Sequence, residues 1–85
     1  MPFSFRIPIP EDLETVFENF KGEIERKRGF LQGDLQSGRI AVSGVEGRYN
    51  ICENFINITV TRRPFFVSNS FIENFIRNEF RKASA

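Results

Sequence analysis

Eighty-five residues with a mass of 9.9 kDa make one small domain, which at this size buries only about 60 to 65 % of the surface its unfolded chain exposes, and a large multi-domain enzyme is excluded. Hydrophobic residues at 40 % and charged residues at 27 % belong to a folded globular chain rather than a disordered or low-complexity one. Twelve Lys and Arg against eleven Asp and Glu leave +1, too little for a chain whose main task is to grip nucleic acid or anionic lipid. Histidine is absent and Cys52 is the single cysteine, so there is no internal disulfide and no Cys/His metal cage, and the composition fits a reducing compartment.

The amino terminus lacks the charged start and apolar core of a secretory signal, and no stretch approaches the roughly 18 apolar residues of a membrane span; a cytoplasmic location is the expectation. Phe3, Phe5, Ile7 and Ile9 alternate with Ser4, Arg6 and Pro8, the period of a half-buried strand. Prolines at 8 and 10 suit an edge strand that stops there, because neither can donate to a ladder. Pro10-Glu11-Asp12 reads as a helix start, followed by an apolar stripe of Leu13, Val16, Phe17, Phe20 and Ile24 at spacings of three and four. Cations at Arg26, Lys27 and Arg28 close that helix, with Gly29 as its left-handed cap.

From Phe30 to Thr61 the period changes to two, with breaks at Ser37-Gly38, at Gly44-Val45-Glu46-Gly47 and at Glu53-Asn54 that read as hairpin turns. Strands are expected at 30–36, 39–44, 48–52 and 55–62. Leu31, Leu35, Ile40, Val42, Tyr49, Ile51, Ile56, Ile58 and Val60 form the inward face, and a wet face carries Gln32, Asp34, Arg39, Ser43, Arg48, Asn50, Asn57, Thr59 and Thr61. Ser70 and Glu73 have the spacing of a capping box for a second helix. Its stripe is Phe71, Ile72, Phe75, Ile76 and Phe80, with residues 83–85 as a frayed tail. The order strand, helix, four strands, helix gives a single α+β domain over 1–85, an antiparallel sheet of about five strands with two helices on one face.

Eleven phenylalanines without a tryptophan form an unusual aromatic set. Most fall on helical stripes or the first strand, and belong to the core. Phe30, Phe55, Phe65 and Phe66 do not, and they either pack over a sheet edge or form an exposed apolar patch for a partner, a second copy of the chain included. Arg28-Gly29-Phe30 imitates the opening of an RNA-recognition strand, but Leu31 and Gln32 follow where small and aromatic residues are needed, so no nucleic-acid partner is expected. Without histidine no imidazole base serves a hydrolase. Cys52 has neither a partner cysteine nor an evident base, and reads as a small strand residue. Asp34, Glu46 and Glu53 near strand ends show no convergent spacing. No metal and no cofactor is expected.

Phe30 followed by Gly33-Asp34, the glycines at 38 and 47, the alternating Ile56-Asn57-Ile58-Thr59-Val60 and the closing Pro64, Ile72-Glu73, Ile76 and Phe80 resemble the small bacterial family labelled polyhydroxyalkanoic acid system protein, over about residues 12–80. The resemblance implies association with polyester storage granules and brings no catalytic residues. The leading expectation is a non-enzymatic binding or assembly module that presents Phe30, Phe55, Phe65 and Phe66 to a protein, lipid or polyester surface. The alternative is a small-ligand carrier or minimal enzyme that uses Arg39, Arg48, Asn50 and Asn57 on the wet sheet face. A third reading gives the chain no partner beyond itself.

Overall fold

The computed structural model describes residues 3–84; Met1, Pro2 and Ala85 lie outside the described residues. Five strands and two helices follow in the order β1 (Phe3–Pro8), α1 (Leu13–Arg26), β2 (Phe30–Gly33), β3 (Ser37–Val42), β4 (Val45–Cys52), β5 (Phe55–Arg62) and α2 (Asn69–Ser84). The strands form one antiparallel sheet in the order β1-β5-β4-β3-β2, and the fold is α+β. Helix α1 carries the chain from one edge strand to the other. A four-strand meander then returns to lie beside β1.

The inward alternation works as the period-two pattern requires. Phe5, Ile7, Leu31, Ile40, Val42, Tyr49, Ile56, Ile58 and Val60 are buried in one cluster with Val16, Phe17, Phe20 and Ile24 of α1 and Ile72, Ile76, Phe80 and Ala83 of α2. The helices meet through an edge-to-face contact between Phe20 and Phe80 at 5.4 Å and a hydrogen bond that the Asn19 amide donates to the Ala83 carbonyl at 3.1 Å. Glu79 is buried between them, its oxygens 3.6 Å from Lys27 Nζ and 3.3 Å from Lys82 Nζ. Two ammonium groups thus neutralise a carboxylate that would otherwise be costly to desolvate.

Several local expectations are corrected, each for a definite backbone reason. Helix α1 starts at Leu13, not at Pro10, because Asp12 is the N-cap and its carboxylate accepts from the Thr15 N–H at 3.4 Å. At the other end the Arg28 N–H donates to Glu25 O and the Gly29 N–H to Ile24 O, both at 3.0 Å. This is a Schellman cap whose left-handed position is Arg28, with φ 66°. Gly29 is needed for space instead: a Cβ there would lie 2.8 Å from Val42 Cβ and 3.0 Å from Ile24 Cγ2.

Strand β2 ends at Gly33, three residues early, because Asp34 folds back on the chain. Its Oδ1 accepts from the N–H groups of Gln36 at 2.8 Å and Ser37 at 3.0 Å. Leu35 therefore sits in the connection and is exposed rather than inward. The next hairpin turns on Ser43-Gly44, with φ 53° and 82°, so Val45, Glu46 and Gly47 belong to β4, with a bulge between the last two. The turn at Glu53-Asn54 lies where the sequence places it. In α2 the N-cap is Ser68, not Ser70: its Oγ accepts from the Phe71 N–H at 3.1 Å, and Glu73 pairs with Arg77 at 2.8 Å. Ala83 and Ser84 are helical rather than frayed, and Ala83 is buried; the remaining tail residue, Ala85, lies outside the described residues.

Candidate functional site

The connection from β5 to α2 is a tight turn with two phenylalanines at its tip. The Val67 N–H donates to the Pro64 carbonyl at 3.1 Å, which places Phe65 and Phe66 at the two central positions of a β-turn. Arg63 braces the turn by donating from Nη1 to the carbonyl of Val67. Phe65 is 93 % and Phe66 77 % exposed, and they touch edge-to-face at 5.5 Å.

Beside this turn lies an apolar groove of about 330 Å³, with Val42 and Val45 from the β3–β4 hairpin on one wall and Ile72 and Ile76 of α2 along the other. Phe66 and Phe71 line its rim. Phe71, expected in the core, is 62 % exposed. Residues 71 and 75 form a second row one residue away from the buried 72–76–80 row; Phe75 packs partly against the core, while Phe71, in the first turn of the helix, is left exposed. A helix face with two parallel apolar rows is the signal that a reading confined to one stripe passes over. Phe65 touches Phe66, and Phe66 shares the groove with Phe71, which makes an exposed aromatic surface of the kind that monomeric domains seldom leave uncovered.

Phe30 and Phe55 do not join this surface. Both project from the opposite side of the sheet. Phe30 stands on edge strand β2 at 39 % exposure, while Phe55 on β5 is half-buried, with the Arg6 guanidinium 4.8 Å from its ring centroid. The predicted four-residue patch is thus two pieces on two faces, of which Phe65 and Phe66 make one with Phe71.

Arg39, Arg48, Asn50 and Asn57 do converge on the face away from the helices. Arg39 is directly opposite Arg48, and Asn50 directly opposite Asn57. With Ser37 and Thr59 they border a shallow concavity of about 360 Å³. The carboxylates are used separately. Glu46 pairs with Arg62 at 3.6 Å, and Glu53 occupies the hairpin turn at the far end of β4 with φ 58°. The backbone N–H groups of Ser37 and Gln36 hold the Asp34 carboxyl below the usual aspartate range. Tyr49, unremarked in the sequence beyond its inward position, donates from its hydroxyl to the Asp34 carbonyl at 2.8 Å. Burial, then the Asp34 charge, push that hydroxyl up to about 12. Cys52 is exposed at the end of β4. Among the described residues no group of three His, Cys, Asp or Glu side chains is placed to hold a metal ion, and no helix is long and apolar enough to cross a membrane.

No family model matches the chain, and no solved structure matches it. The chain is similar to part of the aspartate carbamoyltransferase catalytic subunit of Campylobacter jejuni subsp. jejuni strain 81-176, at 32 % identity over 64 residues, which cover 73 % of this chain and 20 % of that protein. It is similar to the subunit of the same name from Campylobacter jejuni subsp. doylei at 28 % identity over 68 residues, 78 % of this chain and 21 % of that protein. The chain spans about a fifth of the length of the curated relatives it matches.

Proposed function

We propose that this domain is a non-catalytic assembly module that pairs with a second copy of itself through the aromatic turn and the groove beside it. The observation that carries this reading is the juxtaposition of a protruding Phe65–Phe66 pair and an apolar groove in one patch. A two-fold interface needs a self-complementary surface, a projection and a recess side by side, so that each copy's projection enters the other's recess. At their observed exposures, Phe65, Phe66 and Phe71 would together remove about 450 Å² from water on each copy, more than half of the roughly 800 Å² per partner of a standard interface.

Native mass spectrometry and sedimentation of the gently purified protein test this, with the double variant Phe65→Ser, Phe66→Ser as comparison. The expected result is a dimeric chain whose unfolding midpoint rises with concentration, and a folded monomeric variant whose midpoint does not. A wild-type monomer at every concentration rejects self-pairing, and a variant that unfolds shows instead that the two rings are core. A mass equal to the domain plus one different chain, in place of a dimer, also rejects self-pairing. A co-purified lipid or polyester fragment would assign the patch to an apolar surface and likewise reject self-pairing.

A further inference from the structure

The sheet face turned away from the helices holds an electrostatic arrangement that the assembly reading does not use. Arg39 on β3 and Arg48 on β4 are direct cross-strand partners, with Cβ atoms about 5 Å apart by the geometry of such pairs. Like charges in this position oppose sheet formation. Among the described residues neither guanidinium takes part in an ion pair; the paired cations are Arg26, Lys27, Arg62, Arg77 and Lys82. The nearest candidates for compensation are committed elsewhere, Glu46 to Arg62 and Asp34 to the N–H groups of its own turn.

On one side of the pair the surroundings are polar and carry no charge beyond the pair itself. The concavity beside it is bordered by Ser37, Asn50, Asn57 and Thr59, with no carboxylate. On the other side lies a second hollow of about 290 Å³ lined by Phe30, Thr61 and Glu46, whose carboxylate pairs with Arg62 at 3.6 Å. Two adjacent guanidinium forks match the oxygens of a tetrahedral oxyanion, since each donates two parallel N–H bonds in a fixed plane. A phosphate monoester, which carries close to two negative charges at neutral pH, offsets both. Neutral hydroxyl and amide groups next to the charged pair suit a hydroxylated organic portion, because they donate and accept without adding charge.

We propose that Arg39 and Arg48 form a binding site for a phosphate monoester, with Asn50, Asn57 and Ser37 contacting the polar group that bears the phosphate. The ligand supplies the counter-charge that the strand pair lacks.

The experiment is a titration of the ¹⁵N-labelled protein with inorganic phosphate, a hexose phosphate and the unphosphorylated hexose, repeated for Arg48→Gln and Arg39→Gln. Shifts confined to residues 37–39, 48–50 and 57–59 on adding either phosphate, with none from the free sugar, are expected. Each variant should bind at least tenfold more weakly while unfolding at an equal or higher temperature than the wild type, because removing one charge relieves the repulsion. Tighter binding of the hexose phosphate than of phosphate supports contacts to the organic portion. Response to vesicles containing phosphatidic acid, but not to the hexose phosphate, assigns the same phosphate chemistry to a lipid source. The proposal fails if none of these phosphates shifts the resonances of the pair, if shifts scatter over all exposed cations, or if the variants bind as the wild type does.

Discussion

Tyr49 gives the domain a sharply defined alkaline limit. The phenol is buried against Phe17, with ring centroids 5.7 Å apart, and its hydroxyl donates to the Asp34 carbonyl at 2.8 Å. Its pKa is displaced upward, to about 12, from the ordinary value near 10. A raised tyrosine means that the fold favours the neutral phenol. The stabilisation is complete below the unfolded-state value near 10 and is lost as pH climbs toward about 12, where the native hydroxyl ionises. Two units of displacement correspond to about 2.7 kcal/mol in full; water around the exposed Asp34 turn screens part of this, leaving about 1 to 2 kcal/mol. Tyr49→Phe keeps the ring, removes the titration and gives up one hydrogen bond, at about 0.5 to 1.5 kcal/mol. The wild type should therefore be the more stable protein at neutral pH and lose that advantage by about pH 12. Urea unfolding at a series of pH values measures the crossing. Because Tyr49 is the only tyrosine, ultraviolet absorption of tyrosinate reports its ionisation directly. A native protein whose tyrosine ionises near 10, or a Tyr49→Phe variant that loses as much stability in alkali as the wild type, refutes the argument.

Two further outcomes follow from packing and backbone geometry. Ile24 has no exposed surface and lies against the space that Gly29 leaves open, so Ile24→Ala should cost about 2 to 5 kcal/mol, read as a lower urea midpoint at an unchanged slope. At the end of α1 the two neighbouring positions should respond in opposite directions. Arg28→Gly relieves a left-handed non-glycine residue and should stabilise by about 0.5 to 1 kcal/mol. Gly29→Ala forces a Cβ against Val42 and should destabilise by more than about 1 kcal/mol. Thermal melts of the pair decide it, and a fall in the Arg28→Gly midpoint contradicts the cap described here.

The fold was legible where a long period runs without interruption. The stripe from Val16 to Ile24 and the alternation from Phe55 to Arg62 each bury what their spacing indicates, because a whole face of the element is committed to the core, with Leu13 half-buried at the helix start. Turn positions were less legible because the left-handed residues are Arg28, Ser43 and Glu53 as well as glycine, and side-chain identity alone does not single them out. The displaced cap has a similar origin. Ser68 and Ser70 are chemically equivalent, and only the Pro64–Val67 turn upstream decides which of them meets a free N–H. Of the four phenylalanines singled out, Phe65 and Phe66 are grouped by a turn that their own sequence encodes. Strand parity already sets Phe30 and Phe55 opposite to the inward residues; what the sequence left open was the side of the sheet to which the Phe65–Phe66 turn belongs. The polar quartet on the open face was readable because strand parity fixes its side directly.

The sheet ends in strands that offer little to a stranger's backbone. On the β1 edge, Pro8 has no N–H to give and Arg6 sets a charge midway along the strand. The opposite edge, β2, is only four residues long. An incoming chain finds few positions on either edge at which to add itself as a sixth strand, which restrains growth into cross-β aggregates even at high concentration. A domain that displays bare aromatic rings runs the hazard of indiscriminate sticking. Guarded edges confine association to side-chain surfaces, where shape and charge select the partner.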